Sequence, residues 1–542
     1  MTKRNRIVTL SVALAALFAA PPAFSQDLDQ KLEERIQRTL DKRKQVVGGN
    51  PLYLGLVNEL DTGRKHITDR KWSEAFNSFD RILANERLAN YPEYSFAKYY
   101  LAYVLYEMKV AYGSLLYFVD IVEKEPVQPH TFESLRRAIS IAQELKDDEL
   151  ILYLASTIPP EKVPLSLREE FRYFIAKDLY EKLDYDTADK WMGSIPRRNR
   201  LFLAAEYVMG AMAVKRNNLR GAIAAFRLIS DTRSPVEYYE NQKIRQLANL
   251  ALGRIFYEMK NYPLSIVYYK KVKEDGEFYP PALYEASWAL FKMHKFNESL
   301  SVLHSVQSPF FEQIYFLKSY LLSGAIYLEL CLYQDAVGTL KGVEDQFTGL
   351  GRDIDRFARQ AQSPREYYPL LSSKVRKPDG SEAYAYRSLF NLAAAERDFL
   401  GVHHYIERLA SERKNLADLH RPRADLLSKL LQQRSGDLVL KASYLAGQKL
   451  LKTRRMIQDF LDIKDLLRYE VVSAERKILQ TRSLRLAPPV LTDAELIKPE
   501  FTDSLKETMM WWDYSGEFWK DEVGSYLYNL KSRCKEIGET AK

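Results

Sequence analysis

The sequence predicts an all-α fold, an α-solenoid of paired helices followed by a module of long helices, and three observations carry that reading. Between residues 56 and 348 a small residue is followed twelve positions later by a second one seven times: Gly63 with Ala75, Ala102 with Ser114, Ala176 with Ala188, Gly210 with Ala222, Gly253 with Ser265, Ser287 with Ser299, and Gly324 with Ala336. Each second small residue is followed four positions on by a bulky apolar residue (Phe79, Phe118, Met192, Phe226, Tyr269, Leu303, Leu340) and seven on by Ile or Val. Residues 381–483 carry almost no Pro and few Gly, and their apolar residues recur at three- and four-residue steps, as amphipathic helices require.

The spacing has a physical cause. Two antiparallel helices approach closely where a small residue faces a small residue, and the larger apolar side chains one and two turns on fill the core between them. One such pair cannot bury its apolar face, so pairs must stack into a solenoid. From first small residue to first small residue the steps are 39, 74, 34, 43, 34 and 37. The doubled step leaves room for one degenerate repeat near Phe132 to Pro160, giving about eight. This pattern resembles the tetratricopeptide repeat (TPR) superfamily, which builds each repeat of about 34 residues from two helices.

The N-terminus is read separately from the fold. Lys3, Arg4 and Arg6 precede an apolar run from Ile7 to Ala20, and Ala23-Phe24-Ser25 ends in a small residue before Gln26. These are the parts of a secretory signal peptide cleaved after Ser25. The apolar run is short for a transmembrane helix, and no Cys follows the cleavage site, so no lipid anchor is expected there. Removing three basic and no acidic residues takes the formal charge from +8 to +5. That mild, dispersed charge argues against nucleic acid as a partner.

Along the rest of the chain, residues 26–55 read as an N-terminal helix and linker, ending in Gly48-Gly49-Asn50-Pro51. The solenoid occupies 56–348. Residues 349–380, with Gly349, Gly351, Pro364, Pro369 and Pro378-Asp379-Gly380, read as a loop-rich linker. The long-helix, coiled-coil-like module spans 381–484, with one helix around Leu389 to Leu409, a second starting at Pro422 and a third from about Leu438 to Leu479. Residues 485–542 form an aromatic C-terminal segment containing Trp511, Trp512, Tyr514, Phe518, Trp519, Tyr526 and Tyr528.

No catalytic signature is present: there is no GxGxxG, GxxxxGK[ST], GxSxG or HExxH. His403, His404 and Glu407 offer at most two ligands from one helical turn, short of a zinc site, and read as a solvated polar face. Glu169 with Glu170 and Asp147 with Asp148 read as ordinary charged helix faces, since adjacent residues do not face each other on a helix. No cofactor and no metal is expected. Cys331 and Cys534 are the two cysteines. Export permits a disulfide between them, and two independent thiols fit the arithmetic equally.

The candidate site is the concave surface. In peptide-binding TPR proteins the groove is lined by the first helix of each repeat, and the resemblance carries this over when the first small residue is numbered eight. Position five then holds Tyr99, Tyr173, Tyr207 and Tyr284, position nine Tyr103, Lys177, Arg254 and Trp288, and position twelve Tyr106, Tyr180, Tyr257 and Phe291. Tyrosine offers a broad apolar face with a hydroxyl, which suits protein recognition. Two readings stay open: an open groove for a partner, or one filled by the chain's own C-terminal region. The string from Tyr514 to Tyr526, followed by Cys534, is similar to the GEYWxDELGxY ending of some exported TPR proteins of bacterial cell-envelope and gliding-motility systems, departing at Phe518 and Val523. The resemblance makes Trp519, Asp521, Glu522 and Gly524, with Trp511 and Trp512 nearby, a docking motif or a cap on the solenoid.

Together these features lead to the expectation of a non-enzymatic scaffold or adaptor in a Gram-negative periplasm, binding segments or helices of envelope proteins, with motility or secretion compatible. A periplasmic chaperone or assembly factor is the alternative, and an enzyme acting on cell wall or polysaccharide a distant third.

Overall fold

The computed structural model describes residues 30–534 apart from 48, 125, 160–161, 233–238, 275, 312–315, 377–381 and 484–516. The expected signal peptide, Trp511 and Trp512 lie outside the described residues. Among the described residues the regular structure is helical except for one short hairpin, and residues 526–533 form neither helix nor strand. It divides into two compact units, residues 30–244 with 396–446, and residues 245–395 with 447–534.

In the first unit α1 (Gln30–Val47) precedes five helix pairs. These are α2 (Pro51–Thr68) with α3 (Trp72–Ala84), α4 (Glu93–Glu107) with α5 (Ala111–Lys124), α6 (Thr131–Leu145) with α7 (Asp148–Thr157), α8 (Leu165–Glu181) with α9 (Tyr185–Gly193), and α10 (Phe202–Lys215) with α11 (Leu219–Asp231). Three more pairs follow: α12 (Tyr239–Glu258), whose first turns belong to the first unit, with α13 (Tyr262–Tyr269), α14 (Tyr279–Lys292) with α15 (Phe296–Val306), and α16 (Phe316–Glu329) with α17 (Tyr333–Gln360). Then come α18 (Tyr367–Leu371), the antiparallel strands β1 (Lys374–Arg376) and β2 (Glu382–Tyr384), α19 (Arg387–Ala394), α20 (Arg397–Ala417) and α21 (Pro422–Ser483).

The small-residue pairs are points of direct helix contact. The Ser114, Ser265 and Ser299 hydroxyls donate to the carbonyls of Ala102, Gly253 and Ser287, at 2.6, 2.7 and 2.8 Å. In each case the bond joins the two members of a pair read from the sequence. A Cβ on Gly63 would sit 2.6 Å from the Phe79 ring, so the bulky residue four positions beyond the second small one fills the space the glycine leaves. In α6 and α7 the corresponding positions hold Ile139 and Ile151, both buried, which explains why that pair is silent in the spacing.

Each turn between paired helices is made the same way. Arg70, Lys109, Lys146, Leu183, Asn217, Lys260, His294 and Cys331 all adopt left-handed backbone, with φ from 56° to 66°. In four turns the next residue, Asp147, Asp184, Asn218 or Asn261, caps the second helix by accepting a backbone N–H three residues on, satisfying one of its orphan donors. None of the eight left-handed residues is glycine, the residue that most readily adopts that backbone.

Three expectations are corrected. The second and third long helices are one 62-residue helix, α21. No break separates residues 349–360 from the repeats, because α17 runs on to Gln360. Gly349 and Gly351 weaken a helix by about 1 kcal/mol each, and burial of Ile354 and Phe357 with the Arg454–Asp355 ion pair at 2.9 Å offsets that cost. The 381–484 module does not stand alone either. Tyr405, Leu409, Leu416, Leu427, Leu431 and Leu438 belong to the same buried cluster as α1 to α8, so α20 and the start of α21 are part of the first unit's core.

Candidate protein-interaction site

The position-five tyrosines do not line a surface. Tyr99, Tyr173 and Tyr207 are buried, Tyr99 in edge-on contact with Phe118 and Tyr207 packed against Phe226 at 5.3 Å between centroids. The Tyr99 and Tyr207 rings thus meet the bulky residue of their partner helix and complete the pair's core. Burial pushes the Tyr99 and Tyr173 hydroxyls far above their ordinary pKa. Tyr284 is half-buried against the cluster of Leu300, Leu303 and Leu322.

Positions nine and twelve are also committed within the chain. Arg137 lies over the Tyr103 ring. Lys177 pairs with Asp148 at 3.1 Å, and Arg254 makes a forked pair with Glu285 of the next pair's first helix, at 2.6 and 2.8 Å. The Tyr106 hydroxyl donates to Glu144. Tyr180, Tyr257 and Phe291 each meet an aromatic residue five positions on, Tyr185, Tyr262 or Phe296, across the turn, with centroids 5.4 to 5.8 Å apart. Trp288 lies edge-on to Phe291. The aromatic ladder is therefore chiefly a set of core fillers and turn clasps, with the half-exposed rings of Tyr180 and Tyr257 left at the surface.

A surface that seats an extended segment of this same chain lies on a different helix. Asn297, Ser301 and Ser305 sit at four-residue steps on α15 and form one polar stripe, as helical geometry requires. Residues 518–534 run along it in the opposite direction. The Gly524 N–H donates to Ser305 Oγ at 2.8 Å, the Tyr528 N–H to Ser301 Oγ at 2.9 Å and the Leu530 N–H to Asn297 Oδ1 at 2.9 Å. Asn297 Nδ2 returns a bond to the Leu530 carbonyl at 3.1 Å, so one asparagine amide satisfies both backbone groups of one residue. The Arg533 N–H then donates to the Leu330 carbonyl. From Tyr526 to Leu530 the side chains alternate inward and outward, the period of an extended chain.

The inward side chains fill an aromatic cage. His304 stacks on Phe518 with centroids 4.9 Å apart, meets Tyr526 edge-on at 4.5 Å, and its Nδ1 lies 3.1 Å from the Tyr528 hydroxyl. Burial among these rings pushes the imidazole pKa down to about 4. Val523 is buried against Tyr279, Ala282 and Ala286. Gly524 has φ +92° and a Cβ there would collide with the Tyr279 hydroxyl, so both conformation and space call for glycine. Cys534 closes the segment through a disulfide to Cys331, with Cα atoms 5.2 Å apart.

This corrects the docking motif. Trp519 and Asp521 are exposed and Glu522 half-exposed, projecting outward from a single turn of 3-10 helix. The residues that dock are Phe518, Val523, Gly524, Tyr526, Tyr528, Leu530 and Cys534. The sequence did hold a signal for this surface, the Asn297-Ser301-Ser305 stripe opposite an alternating Tyr-x-Tyr-x-Leu, but it lies on a second helix, outside the positions compared.

In the first unit the second helices are covered as well. Arg423 pairs with Asp80 of α3 at 2.6 Å, and Glu412, buried, accepts the Tyr112 N–H at the start of α5 at 3.0 Å. Asp147 caps α7 and receives both Arg434 at 2.6 Å and the Tyr405 hydroxyl at 3.2 Å. Asp147 is thus a buried junction rather than a charged face, while Glu169 and Glu170 bind Asn199 and Arg200. His403 is buried too, 3.6 Å from Glu407, not solvated. Among the described residues no group of three or more His, Cys, Asp or Glu could hold a metal ion, and no helix is long and apolar enough to cross a membrane.

Compared with known proteins, the chain matches no family model and no curated protein. Among solved structures it matches the crystal structure of the P58(IPK) TPR domain at 13% identity, over 70% of this chain and 97% of that one, with a TM-score of 0.17. A superposition that poor carries no argument. The TPR-like character of the fold rests on this chain's own helix pairs, their serine-to-carbonyl contacts and their recurring turns.

Proposed function

We propose that this chain is an exported, non-enzymatic TPR-like scaffold of the Gram-negative periplasm that holds segments of cell-envelope proteins, in a motility or secretion machine. The observation that carries the reading is the seat of residues 524–530 on α15. Side chains of one helix satisfy the backbone of an extended segment through four hydrogen bonds, contacts that act on any polypeptide, while pockets for alternate side chains give selectivity. The Cys331–Cys534 disulfide supports an oxidising compartment.

The test is photocrosslinking in intact cells from aromatic photoreactive residues at Tyr180 and Tyr257, where an aromatic replacement keeps the turn clasp. Capture of one dominant envelope protein is the expected result. Capture of many unrelated exported proteins would replace the scaffold with a chaperone, and capture of cytoplasmic proteins alone would overturn export.

A further inference from the structure

The segment on α15 is held in two chemically separate ways: by noncovalent contacts that read an extended backbone and seat alternate aromatic side chains, and by a covalent clip at its end. We propose that the α15 face is a recognition site for an extended segment with aromatic side chains at alternate positions, that residues 518–534 occupy it in cis, and that reduction of Cys331–Cys534 opens it to such a segment from a partner. The proposal rests on the scaffold reading and names the ligand class and the regulation of one of its surfaces.

Three observations favour a displaceable occupant over a permanent part of the core. Four of the polar contacts are made by α15 side chains to the segment's backbone, so another extended chain with the same side-chain alternation and a glycine in the place of Gly524 satisfies them equally. Ser301 and Ser305 are buried beneath the segment, and where the serines of the helix pairs donate to carbonyls, these two hydroxyls accept the segment's backbone N–H groups, an arrangement suited to a peptide site. The disulfide joins the segment to Cys331 at the turn into α17, so its 203-residue separation makes it a clamp on the occupant rather than on the helix pair. In the opening step a dithiol reductant gives up two electrons and two protons and becomes a disulfide. The Cys331–Cys534 bond breaks, and each cysteine becomes a thiol. The segment then stays by noncovalent contacts alone, at the high effective concentration its tether provides, and a partner segment competes with it.

The experiment titrates a fluorescent peptide of residues 517–534, carrying Ser for Cys534, into the full-length protein. Because the tethered segment competes, the receiving protein is the Cys534→Ser/Gly524→Val double variant, in which the valine collides with Tyr279 and weakens the cis segment. The peptide is expected to bind this variant at least ten-fold more tightly than it binds the oxidised wild type, and a further Asn297→Ala is expected to weaken binding at least ten-fold. In parallel, reduction of the wild type is expected to speed hydrogen exchange at the amides of Gly524, Tyr528 and Leu530 while α14 to α16 stay protected. No peptide binding by a double variant whose circular dichroism is unchanged, or binding indifferent to Asn297→Ala, overturns the proposal, as does loss of helix in α14 to α16 on reduction. Crosslinking from Tyr180 and Tyr257 bears on the scaffold reading independently, so the two fail separately.

Discussion

In the first unit α3, α5 and α7 receive two further helices, α20 and the start of α21, whereas in the second unit α15 receives an extended segment. The helical cover is fixed by side chain to side chain: an apolar stripe in one continuous core, with Arg423–Asp80 and Arg434–Asp147 at its edges. The extended cover is fixed by side chain to backbone, an aromatic cage and a disulfide. A helix satisfies its own backbone and can offer only side chains, while an extended chain must have its N–H and C=O groups met by its host. The same kind of repeat therefore presents apolar residues where it takes a helix and a polar stripe where it takes a strand.

The largest expected effect separates the covalent cover from the noncovalent one. Closing a loop of 203 residues is worth on the order of 5 kcal/mol in the chain-entropy account of disulfides. Cys534→Ser should lower the stability of the second unit by up to that amount and leave the first unit unchanged. Hydrogen exchange resolved by peptide across both units measures it, and equal loss in the two would contradict the division drawn here.

Next comes the junction at Asp147. Arg434→Ala strands a carboxylate with 4% side-chain exposure, and breaking a buried pair from one side costs roughly 3 kcal/mol. The loss belongs to the first unit, seen in its urea midpoint. Arg434→Ala combined with Asp147→Asn should recover part of it, because the charge left unpaired is gone. Gly524→Ala is a smaller test in the second unit, about 2 kcal/mol for a left-handed position and a collision with the Tyr279 hydroxyl. Tyr279→Phe should return part of that loss, and a full loss despite Tyr279→Phe would leave backbone strain as the sole cause.

Much of the repeat was legible because its physics is local. Ala102 with Ser114 and Gly253 with Ser265 are spaced by the geometry of one helix pair, and the serine-to-carbonyl bonds are that spacing made visible. What was not legible depends on which face a residue presents to distant chain. Tyr99 and Tyr207 share a position with groove residues in the resembling family, yet here they meet Phe118 and Phe226 in the core. The turn residues from Arg70 to Cys331 adopt left-handed backbone without being glycine. Trp519, the bulkiest residue of the C-terminal string, faces outward, while the small polar Asn297 holds both backbone groups of Leu530.

The smallest effects, of opposite sign, come from buried titratable groups at the two covers. His304 is held neutral by burial, its pKa lowered to about 4. Its contribution is present above the ordinary histidine pKa of about 6.5 and is lost as pH falls from there through 4, roughly 1–2 kcal/mol given its partial exposure. Glu412 behaves the other way. Burial outweighs the N–H groups at the start of α5 and Arg408, and raises its pKa to about 7. Its folded form keeps a proton that the unfolded chain has released, so stability falls as pH rises from the usual carboxylate range through 7, by on the order of 1–2 kcal/mol. Acidification from pH 7 to 5 should thus loosen the segment on α15 while tightening α20 against α5, read as opposite changes in hydrogen exchange at the Tyr528 and Tyr112 amides. His304→Leu should abolish the first slope and Glu412→Gln the second. Slopes of the same sign at both amides would mean that the two covers respond to the net charge of the chain rather than to these two side chains.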